Sequence, residues 1–341
     1  MDENKISLSQ AQFIVHAVYE SFLGRSPDAA GMLYWSEQIM QTGDAGLVLN
    51  AISQSGEYKQ RQASLARCNQ QKAALRDALM SQLHAAPLQI VDVGAQELAD
   101  EEHVYAPLTT LPHHIIGFEP LQEKIDESLA KHPERPVTLL PTFIGDGQSH
   151  TFHINNFDAT SSLLPLNQNL NQYLVDLSHL KTVHSAVVST STLDIALHDI
   201  ARFDFLKLDI QGFELPALQH ASSVLARTNV VHCEVSFAEI YAGQALFSEV
   251  ESLLRAQGFD FIDFSSKCHY PYHTASKNLS RDRLGWGDAV FFKRSEHLSA
   301  RDLLAQSAIA LLVYNKPSLA EFLVQKADAL ANSTVASIFA Q

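Results

Sequence analysis

The sequence predicts an α/β protein with a mostly parallel sheet and helical segments at both ends. Residues 83–297 alternate short apolar runs with helical stretches, a pattern typical of a parallel sheet covered on both faces. The flanks, residues 1–82 and 298–341, carry only helical periodicity. With 341 residues, 46% hydrophobic and 18% charged, the chain can build a sizeable core over two or three domains. We therefore predict, over these ranges, a helical module with a linker helix, an α/β domain and a C-terminal helical segment.

The first module begins with QAQFIVHAVYESFL, whose apolar residues recur at helical spacing. Gly24 is suited to end that helix, since glycine adopts the left-handed conformation of helix ends. The polar stretch over residues 53–83 predicts a long linker helix.

The pattern changes at Pro87, where strand-like runs begin. Helical stretches at 215–226 and 246–257 separate several of these runs. We expect the last strand, after the irregular stretch 265–287, to be able to enter antiparallel. The predicted strands lie within residues 88–94, 114–120, 137–147, 149–154, 185–190, 203–209, 229–235, 259–264 and 288–294.

Charge and cysteine content exclude several classes of function. Lys and Arg number 24 against 38 Asp and Glu, a net charge of −14, which argues against nucleic acid as a partner. Three scattered cysteines fit neither a disulfide framework nor a zinc site. The acidic start MDENKISLSQ lacks the apolar core of a signal peptide, and the run AIALLVY is too short to span a bilayer. We expect a cytoplasmic protein without a transmembrane segment.

The ends of the first two strands suggest a nucleoside site. Gly94 ends the first strand and leaves room for a ligand beside the backbone, while Glu119 follows the second and can accept hydrogen bonds from ribose hydroxyls. The text GAQELADEE lacks the G-x-G-x-x-G cradle and is acidic, which disfavours a cofactor with phosphates. S-adenosylmethionine (SAM), with a ribose, a positive charge and no phosphate, fits better. From these residues alone, the alternative that Gly94 only ends a strand and that Glu119 is solvated is equally supported.

The motifs of residues 86–295 resemble the FkbM family of SAM-dependent methyltransferases. The matching text runs, in chain order, IVDVGAQ, IIGFEP, FIGDG, STSTLD, FDFLKLDIQGFELPALQHA, VVHCEVSF and GWGDAVFF. The resemblance implies the class I (Rossmann-like) methyltransferase fold, SAM as cofactor, and methylation of hydroxyls of sugars or natural products. It places Asp92 of the first motif among the cofactor-binding residues. The chain departs from the family at Gln96, which replaces an asparagine, and in a missing second glycine.

The stretch LGRSPDAAGMLYW, residues 23–35, resembles a helical module known as domain of unknown function 4214. That module often accompanies cell-surface or secreted bacterial proteins. The resemblance implies a bacterial protein but does not establish the role of this module. The helical segments at both ends could bind carbohydrate, form homo-oligomers or dock the enzyme beside a glycosyltransferase.

Three carboxylates near the predicted strand ends are candidates for catalysis. A hydroxyl acceptor needs a positioned base, or a metal ion that lowers its pKa. Asp209 ends the most apolar strand and is the first candidate for either role, while Glu234 ends the next strand. Together they could hold Mg²⁺ through oxygen ligands. Glu214 is the third candidate, although an acid in the first turn of a helix more often stabilises that helix.

Further candidates concern the adenine and the acceptor. Asp146 in FIGDG can accept from the adenine amino group, but Asp-Gly is an equally good turn signal. For the acceptor we expect stacking and hydrogen bonding by Tyr105, Tyr241, Trp286 and Asp288, with core packing as the more frequent role of such aromatic residues.

The leading hypothesis is a SAM-dependent O-methyltransferase acting on a hydroxyl of a sugar or glycan. The alternative is a catalytically silent scaffold that binds a partner or glycan through its helical modules. A nicotinamide dehydrogenase shares the fold class, but the absent G-x-G-x-x-G motif counts against it. The identity of the acceptor and of the methylated atom stays open.

Overall fold

A computed structural model describes residues 6–95, 102–131, 136–276 and 280–340. The chain forms two compact units, Met1–Ala73 and Ala74–Gln341. The boundary lies inside one long helix, so the two units share that helix. The division at residues 82 and 297 stays a prediction.

The first unit is helical. It contains α1 (Leu8–Leu23), α2 (Ala29–Thr42), α3 (Gly46–Gln54) and the first part of α4 (Gly56–His84). Gly24 ends α1 in the left-handed conformation, as predicted. The core of the unit consists of Ala11, Val15, Val18, Tyr19, Leu23, Ile39, Val48 and Ile52.

The second unit is built on a seven-stranded sheet, which confirms the predicted α/β fold. The strand order is β3-β2-β1-β7-β8-β10-β9, and every neighbouring pair from β3 to β8 is parallel. The late strand β10 lies antiparallel to both β8 and β9. The strands of the unit are β1 (Leu88–Val93), β2 (His113–Phe118), β3 (Val137–Leu140), β4 (Phe143–Ile144), β5 (Ser149–Asn155), β6 (Thr182–Ser191), β7 (Phe203–Leu208), β8 (Thr228–Ser236), β9 (Phe259–Tyr270) and β10 (Arg283–Lys293).

A smaller sheet, in the order β4-β6-β5, stands beside the main one. The insertion between β5 and β6, residues 156–181, carries a cluster of leucines that packs with Ile240, Tyr241 and Tyr270. Three consecutive residues of this insertion, 161–163, reach the cavity described below. The insertion therefore contributes both to the core and to the ligand side of the unit.

Eight helices belong to the described part of the second unit beyond α4. Four one-turn 3₁₀ segments accompany them at Ala106–Thr110, Asp158–Thr160, Ser295–His297 and Val335–Phe339. The helices are α5 (Gln122–Lys131), α6 (Gln168–Asn171), α7 (Leu193–Ala196), α8 (Glu214–Gln219), α9 (Ser222–Ala226), α10 (Phe247–Ala256), α11 (Ala300–Ala308) and α12 (Pro317–Ala331).

The C-terminal segment packs on the sheet. Helix α11 continues into a π-helical turn over Ile309–Val313 before α12 begins. The buried amide of Gln306 donates to the carbonyls of Asn229 and Lys293, at 2.9 Å each, which ties α11 to β8 and β10. The guanidinium of Arg301 pairs with the fully buried Asp204 at the start of β7. Among the described residues, no helix is both long and apolar enough to cross a membrane.

Candidate active site

A cavity of about 360 Å³ opens beyond the carboxyl ends of β1, β2 and β7. Strand β1 lies between β2 and β7, so the strand order changes direction at this point. In open α/β sheets, such a switch point leaves a crevice in which ligands bind. Residues that follow the strand ends, Gly94, Glu119 and Asp209, line the cavity together with His232 and Asp288.

A buried ion pair supports the floor of this cavity. Asp92 on β1 is fully buried, and its carboxylate accepts from Lys207 Nζ at 3.1 Å and from the Tyr105 hydroxyl at 2.8 Å. Nδ1 of His103 lies 3.3 Å from the same carboxylate. Burial alone would raise the pKa of Asp92, but Lys207 and His103 outweigh it and lower the pKa to about 2. Burial would likewise lower the pKa of Lys207, yet Asp92 and Asp209 raise it, so both groups are ionised at neutral pH.

Gly94 is required by a close approach of two strands. Its φ of +85° is a left-handed conformation, and a Cβ at this position would lie only 2.0 Å from the carbonyl oxygen of Asp209. The amide of Asp209 donates to the carbonyl of Val93 at 3.0 Å, which holds the ends of β1 and β7 together. A side chain at residue 94 would push these two ends apart.

Glu119 lies at the end of β2, and one of its two carboxylate oxygens accepts a backbone hydrogen bond. Its Oε1 accepts from the amide of Leu121 at 2.9 Å. The residue is 6% exposed, and burial raises the pKa of its carboxyl. Since Glu119 also lines the cavity, Oε2 is the oxygen that can receive hydrogen bonds from a ligand.

The turn after β7 adopts a strained backbone. Gln211 has a φ of +54°, which is uncommon for any residue other than glycine, and Gly212 follows at +98°. The Gln211 side chain donates to Asp209 Oδ1 at 2.9 Å and accepts from the Tyr241 hydroxyl at 2.8 Å. Oε1 of Glu214 accepts from the amides of Ile210 and Gly212, at 2.8 and 3.2 Å. These contacts fix the direction of Asp209, whose other oxygen lies 3.7 Å from Lys207 Nζ.

Two residues from β8 and β10 complete the inner wall. His232 is 3% exposed, and its Nδ1 lies 2.9 Å from the hydroxyl of Tyr314, which follows the π-helical turn. Burial, together with the neighbouring Lys207, lowers the pKa of His232 to about 4. Asp288 Oδ2 accepts from the hydroxyl of Ser266 at 2.5 Å, and burial raises the pKa of Asp288.

Four of the predicted site residues line the cavity formed by the described residues, namely Gly94, Glu119, Asp209 and Asp288. The other predicted residues do not. Gln96 lies outside the described residues.

The three predicted aromatic contacts are engaged in the protein itself. Tyr105 is 4% exposed and donates to Asp92, so it supports the ion pair instead of the acceptor. Tyr241 donates to Gln211 and to the carbonyl of Thr160. Trp286 donates from Nε1 to the Tyr270 hydroxyl at 2.9 Å and packs against the leucines of the insertion. Their positions correspond to the alternative of core packing.

The remaining carboxylates are also used locally. Asp92 lies beneath the cavity wall, and Glu214 holds the backbone of its own turn, as in the alternative weighed from the sequence. Asp146 accepts from His150 Nε2 at 2.8 Å and from the amide of Gln148 at 2.9 Å, as a turn residue does. Burial would raise its pKa, but these bonds lower it. Glu234 lies on β8 outside the wall, and burial, with Asp209 and Glu214 nearby, raises its pKa well above the ordinary value.

The predicted magnesium site at Asp209 and Glu234 is not supported. Nowhere among the described residues do three or more His, Cys, Asp or Glu side chains stand where they could hold a metal ion. Mg²⁺ requires several oxygen ligands in near-octahedral geometry. Only Asp209 of the two carboxylates reaches the cavity.

Three cavity residues escaped the sequence analysis as site residues. Lys207, inside the apolar strand β7, pairs with Asp92 and also lines the cavity. Gln211 carried no signal apart from the glycine that follows it. His232 lies within an apolar strand, where a histidine is more often a core residue. The one local signal was Glu234, two residues further along the same strand.

Comparison with known proteins agrees with this geometry. Residues 92–261 match the model of the methyltransferase FkbM domain. These residues form an FkbM methyltransferase domain. Residues 3–62 match a domain of unknown function, DUF4214, as the sequence resemblance predicted. A search of curated proteins found no match to the chain.

Solved structures similar to the chain include several methyltransferases. The methyltransferase FkbM of Methylobacillus flagellatus is 16% identical over 60% of this chain and 43% of its own length, with a TM-score of 0.35. A TehB-like SAM-dependent methyltransferase from Corynebacterium glutamicum is 15% identical over 70% of this chain and 96% of its own, at a TM-score of 0.29. Magnesium protoporphyrin IX methyltransferase from Synechocystis was solved with bound SAM. It is 12% identical over 66% of this chain and 79% of its own length, with a TM-score of 0.32. The sequence identities and TM-scores of these similarities are all low.

The residues of the FkbM domain fit a bound SAM. Gly94 leaves the backbone open at the end of β1, and Glu119 offers a carboxylate oxygen at the end of β2. The acidic wall, with Glu102, Glu119 and Asp158, suits a cofactor that carries positive charge and no phosphate. The chain spans less than half of the length of the M. flagellatus protein.

Proposed function

We propose that this protein is a SAM-dependent O-methyltransferase that methylates a hydroxyl of a sugar or glycan. The observation that carries the proposal is one cavity at the switch point of the sheet, bordered by Gly94, Glu119 and Asp209. When bound there, SAM would supply a methyl group activated by a sulfonium. The residues of the chain would hold the cofactor, orient the acceptor and exclude water.

The cofactor side of the cavity lies over β1 and β2. Glu119 would accept from the two ribose hydroxyls through Oε2, because it lines the cavity and the amide of Leu121 already occupies Oε1. The apolar side chains of Phe143, Ile144 and Leu163 offer a surface for the adenine. The ion pair beneath the cavity, Asp92 with Lys207, would keep the ends of β1 and β7 in register.

The acceptor side lies over β7 and β10. Asp209 and Asp288 both present carboxylate oxygens to the cavity, and carboxylates are the acceptors that sugar hydroxyls require. Asp209 stays our first candidate for contact with the reacting hydroxyl, because Gln211 and Lys207 hold its carboxylate in one direction. The cytoplasmic location, the glycosyltransferase partner and the homo-oligomer stay predictions.

Calorimetry with S-adenosylhomocysteine tests the cofactor site. We expect micromolar binding to the full chain and a loss of about 10- to 100-fold in Glu119→Gln, which weakens charge-assisted hydrogen bonds. Glu123→Gln, at an exposed position of α5, is the matched control and should bind as the unchanged protein does. Absence of binding would favour the silent scaffold, and binding of NAD instead would favour a dehydrogenase.

Methyl transfer tests the acceptor side. With labelled SAM and a panel of methyl glycosides, we expect transfer to at least one sugar hydroxyl. Asp209→Asn should lower kcat by about 100-fold or more while leaving the binding of S-adenosylhomocysteine unchanged. Asp199→Asn, a change at a side chain that is 86% exposed, should leave the rate unchanged. Full turnover of Asp209→Asn would contradict the assigned role.

A further inference from the structure

The tautomer of His232 can be assigned from the groups at its two ring nitrogens. Nδ1 lies 2.9 Å from the Tyr314 hydroxyl, and no other hydrogen bond of that hydroxyl is recorded among the described residues. A mostly buried phenol needs an acceptor for its hydrogen, and Nδ1 is the acceptor within reach. At the other nitrogen, Nε2 lies 3.8 Å from Oδ1 of Asp288, a carboxylate that attracts a proton on Nε2. Both ends therefore favour Nδ1 as acceptor and Nε2 as N–H donor.

The separation of Nε2 and Asp288 Oδ1 has a chemical meaning. At 3.8 Å it exceeds the length of a direct hydrogen bond. A single oxygen atom placed about 2.8 Å from each of the two atoms can bridge them. Such an oxygen accepts a hydrogen bond from Nε2–H and donates one to the carboxylate. A hydroxyl group can do both at once. An ether or a deoxy carbon cannot donate, and an ammonium cannot accept.

We infer that His232 and Asp288 form a clamp that selects one hydroxyl of the acceptor, and that Tyr314 of the C-terminal segment positions the clamp by fixing the tautomer of His232. The inference deepens the proposed function and rests on it, because it requires an acceptor with hydroxyls. Both clamp residues line the cavity. Tyr314 packs its ring parallel to that of His232, with centroids 6.2 Å apart, which also fixes the plane of the imidazole.

The electrostatic setting keeps the clamp in one state. Burial and Lys207 lower the pKa of His232 to about 4, so the imidazole is neutral at neutral pH and has one donor and one acceptor nitrogen. Ser266 occupies Oδ2 of Asp288, which leaves Oδ1 for the bridging hydroxyl. Each polar atom of the pair thus has one assigned partner.

The first test needs no acceptor. Long-range ¹H–¹⁵N correlation spectra of the histidine-labelled full chain report which ring nitrogen carries the proton, and His232→Gln identifies the signal. We expect the Nε2–H form in the unchanged protein and a mixture of tautomers in Tyr314→Phe, which lacks the donor hydroxyl. Tyr173→Phe, at an exposed tyrosine, is the matched control. An Nδ1–H form in the unchanged protein would overturn the inference.

The second test measures selection of the hydroxyl. For the methyl glycoside that turns over fastest, one monodeoxy analogue that keeps the methylated hydroxyl should lose about 100-fold or more in kcat/KM, because it leaves two polar groups of the cavity unpaired. In His232→Gln that discrimination should fall by about 10-fold or more, with binding of S-adenosylhomocysteine unchanged. His198→Gln, at an exposed histidine, should keep it. Equal discrimination in His232→Gln refutes the clamp, whereas no methyl transfer to any glycoside refutes the proposed function instead.

Discussion

At the scale of single residues, the ion pair between Asp92 and Lys207 decides how the cavity is supported. A buried charge is costly when it loses its partner, because solvent cannot replace that partner. Asp92 is fully buried, and Lys207 also donates to the carbonyl of Gly94 at 3.3 Å. The pair therefore links the charge on β1 to the backbone that we propose to contact the cofactor.

We predict strong coupling between these two residues. Asp92→Asn and Lys207→Met should each lower the free energy of unfolding by about 3–5 kcal/mol, and the double variant should lose clearly less than their sum. Urea unfolding of the four proteins measures the coupling. Asp260→Asn breaks a pair with Arg294 in which both side chains are about half exposed, and should change stability by less than about 1 kcal/mol. Additive losses would mean that the pair does not act as a unit.

At the scale of elements, the turn between β7 and α8 follows the strand that the sequence predicted best. The backbone conformation of the turn itself was not predicted. The apolar run over Phe203–Leu208 indicated a buried strand, and the strand forms there. The direction of Glu214 was not decided by the sequence, because its carboxylate could face either the cavity or the backbone. Its bonds to Ile210 and Gly212 depend on a left-handed Gln211, which composition does not reveal.

Glu214 should give the stability of the protein a measurable pH dependence. Burial raises its pKa in the folded protein from 4.5 to about 7, so its ionisation opposes folding. The contribution of a group with a raised pKa is present below its unfolded value and is lost as the pH rises towards 7. We expect the ionisation of Glu214 to contribute a loss of roughly 3 kcal/mol in the free energy of unfolding over this interval, in addition to the loss from Glu234, whose pKa burial also raises.

The variant Glu214→Gln keeps an oxygen acceptor for the turn but does not ionise. It should therefore reduce the loss of stability between pH 4.5 and pH 7 by about that amount, as measured by urea unfolding. Glu239→Gln is the control, because Glu239 also accepts a turn amide, that of Gly243 at 2.7 Å, from an exposed position. An unchanged pH dependence in Glu214→Gln would contradict the contribution of Glu214.

The elements themselves followed from sequence more fully than the site did. Apolar runs located the strands, although β9 and β10 extend into the stretch 265–287 that was predicted to be irregular. The glycine and acid at 94 and 119 marked the strand ends that border the cavity. Contacts between residues far apart in the sequence could not be predicted in the same way. His232 and Tyr314 are 82 residues apart and no local pattern joins them, while Tyr105 turned out to serve Asp92.

At the scale of the whole molecule, every described residue that lines the cavity belongs to the second unit. We therefore predict that a chain of residues 74–341 binds S-adenosylhomocysteine with an affinity within about 2-fold of the full chain, by calorimetry. A loss of more than about 10-fold would show that the first unit supports the site.

Removal of the C-terminal segment should have the opposite effect. Helix α11 buries Leu303, Leu304 and Ala305, and a chain that ends at residue 298 exposes the apolar surface beneath them. We expect this shortened chain to aggregate or to unfold, with loss of its cooperative thermal transition in circular dichroism. A cooperative transition at an unchanged temperature would contradict the packing role of the segment.

The position of Tyr314 has a consequence for how acceptor preference could change among related proteins. The family match ends at residue 261, whereas the phenol that holds His232 comes from the tail. Relatives with the same methyltransferase domain but a different C-terminal segment would keep cofactor binding. They would lose the hydroxyl that fixes the tautomer of His232. Acceptor preference in such lineages would then diverge through exchange of a terminal helix pair, without a single substitution around the cofactor.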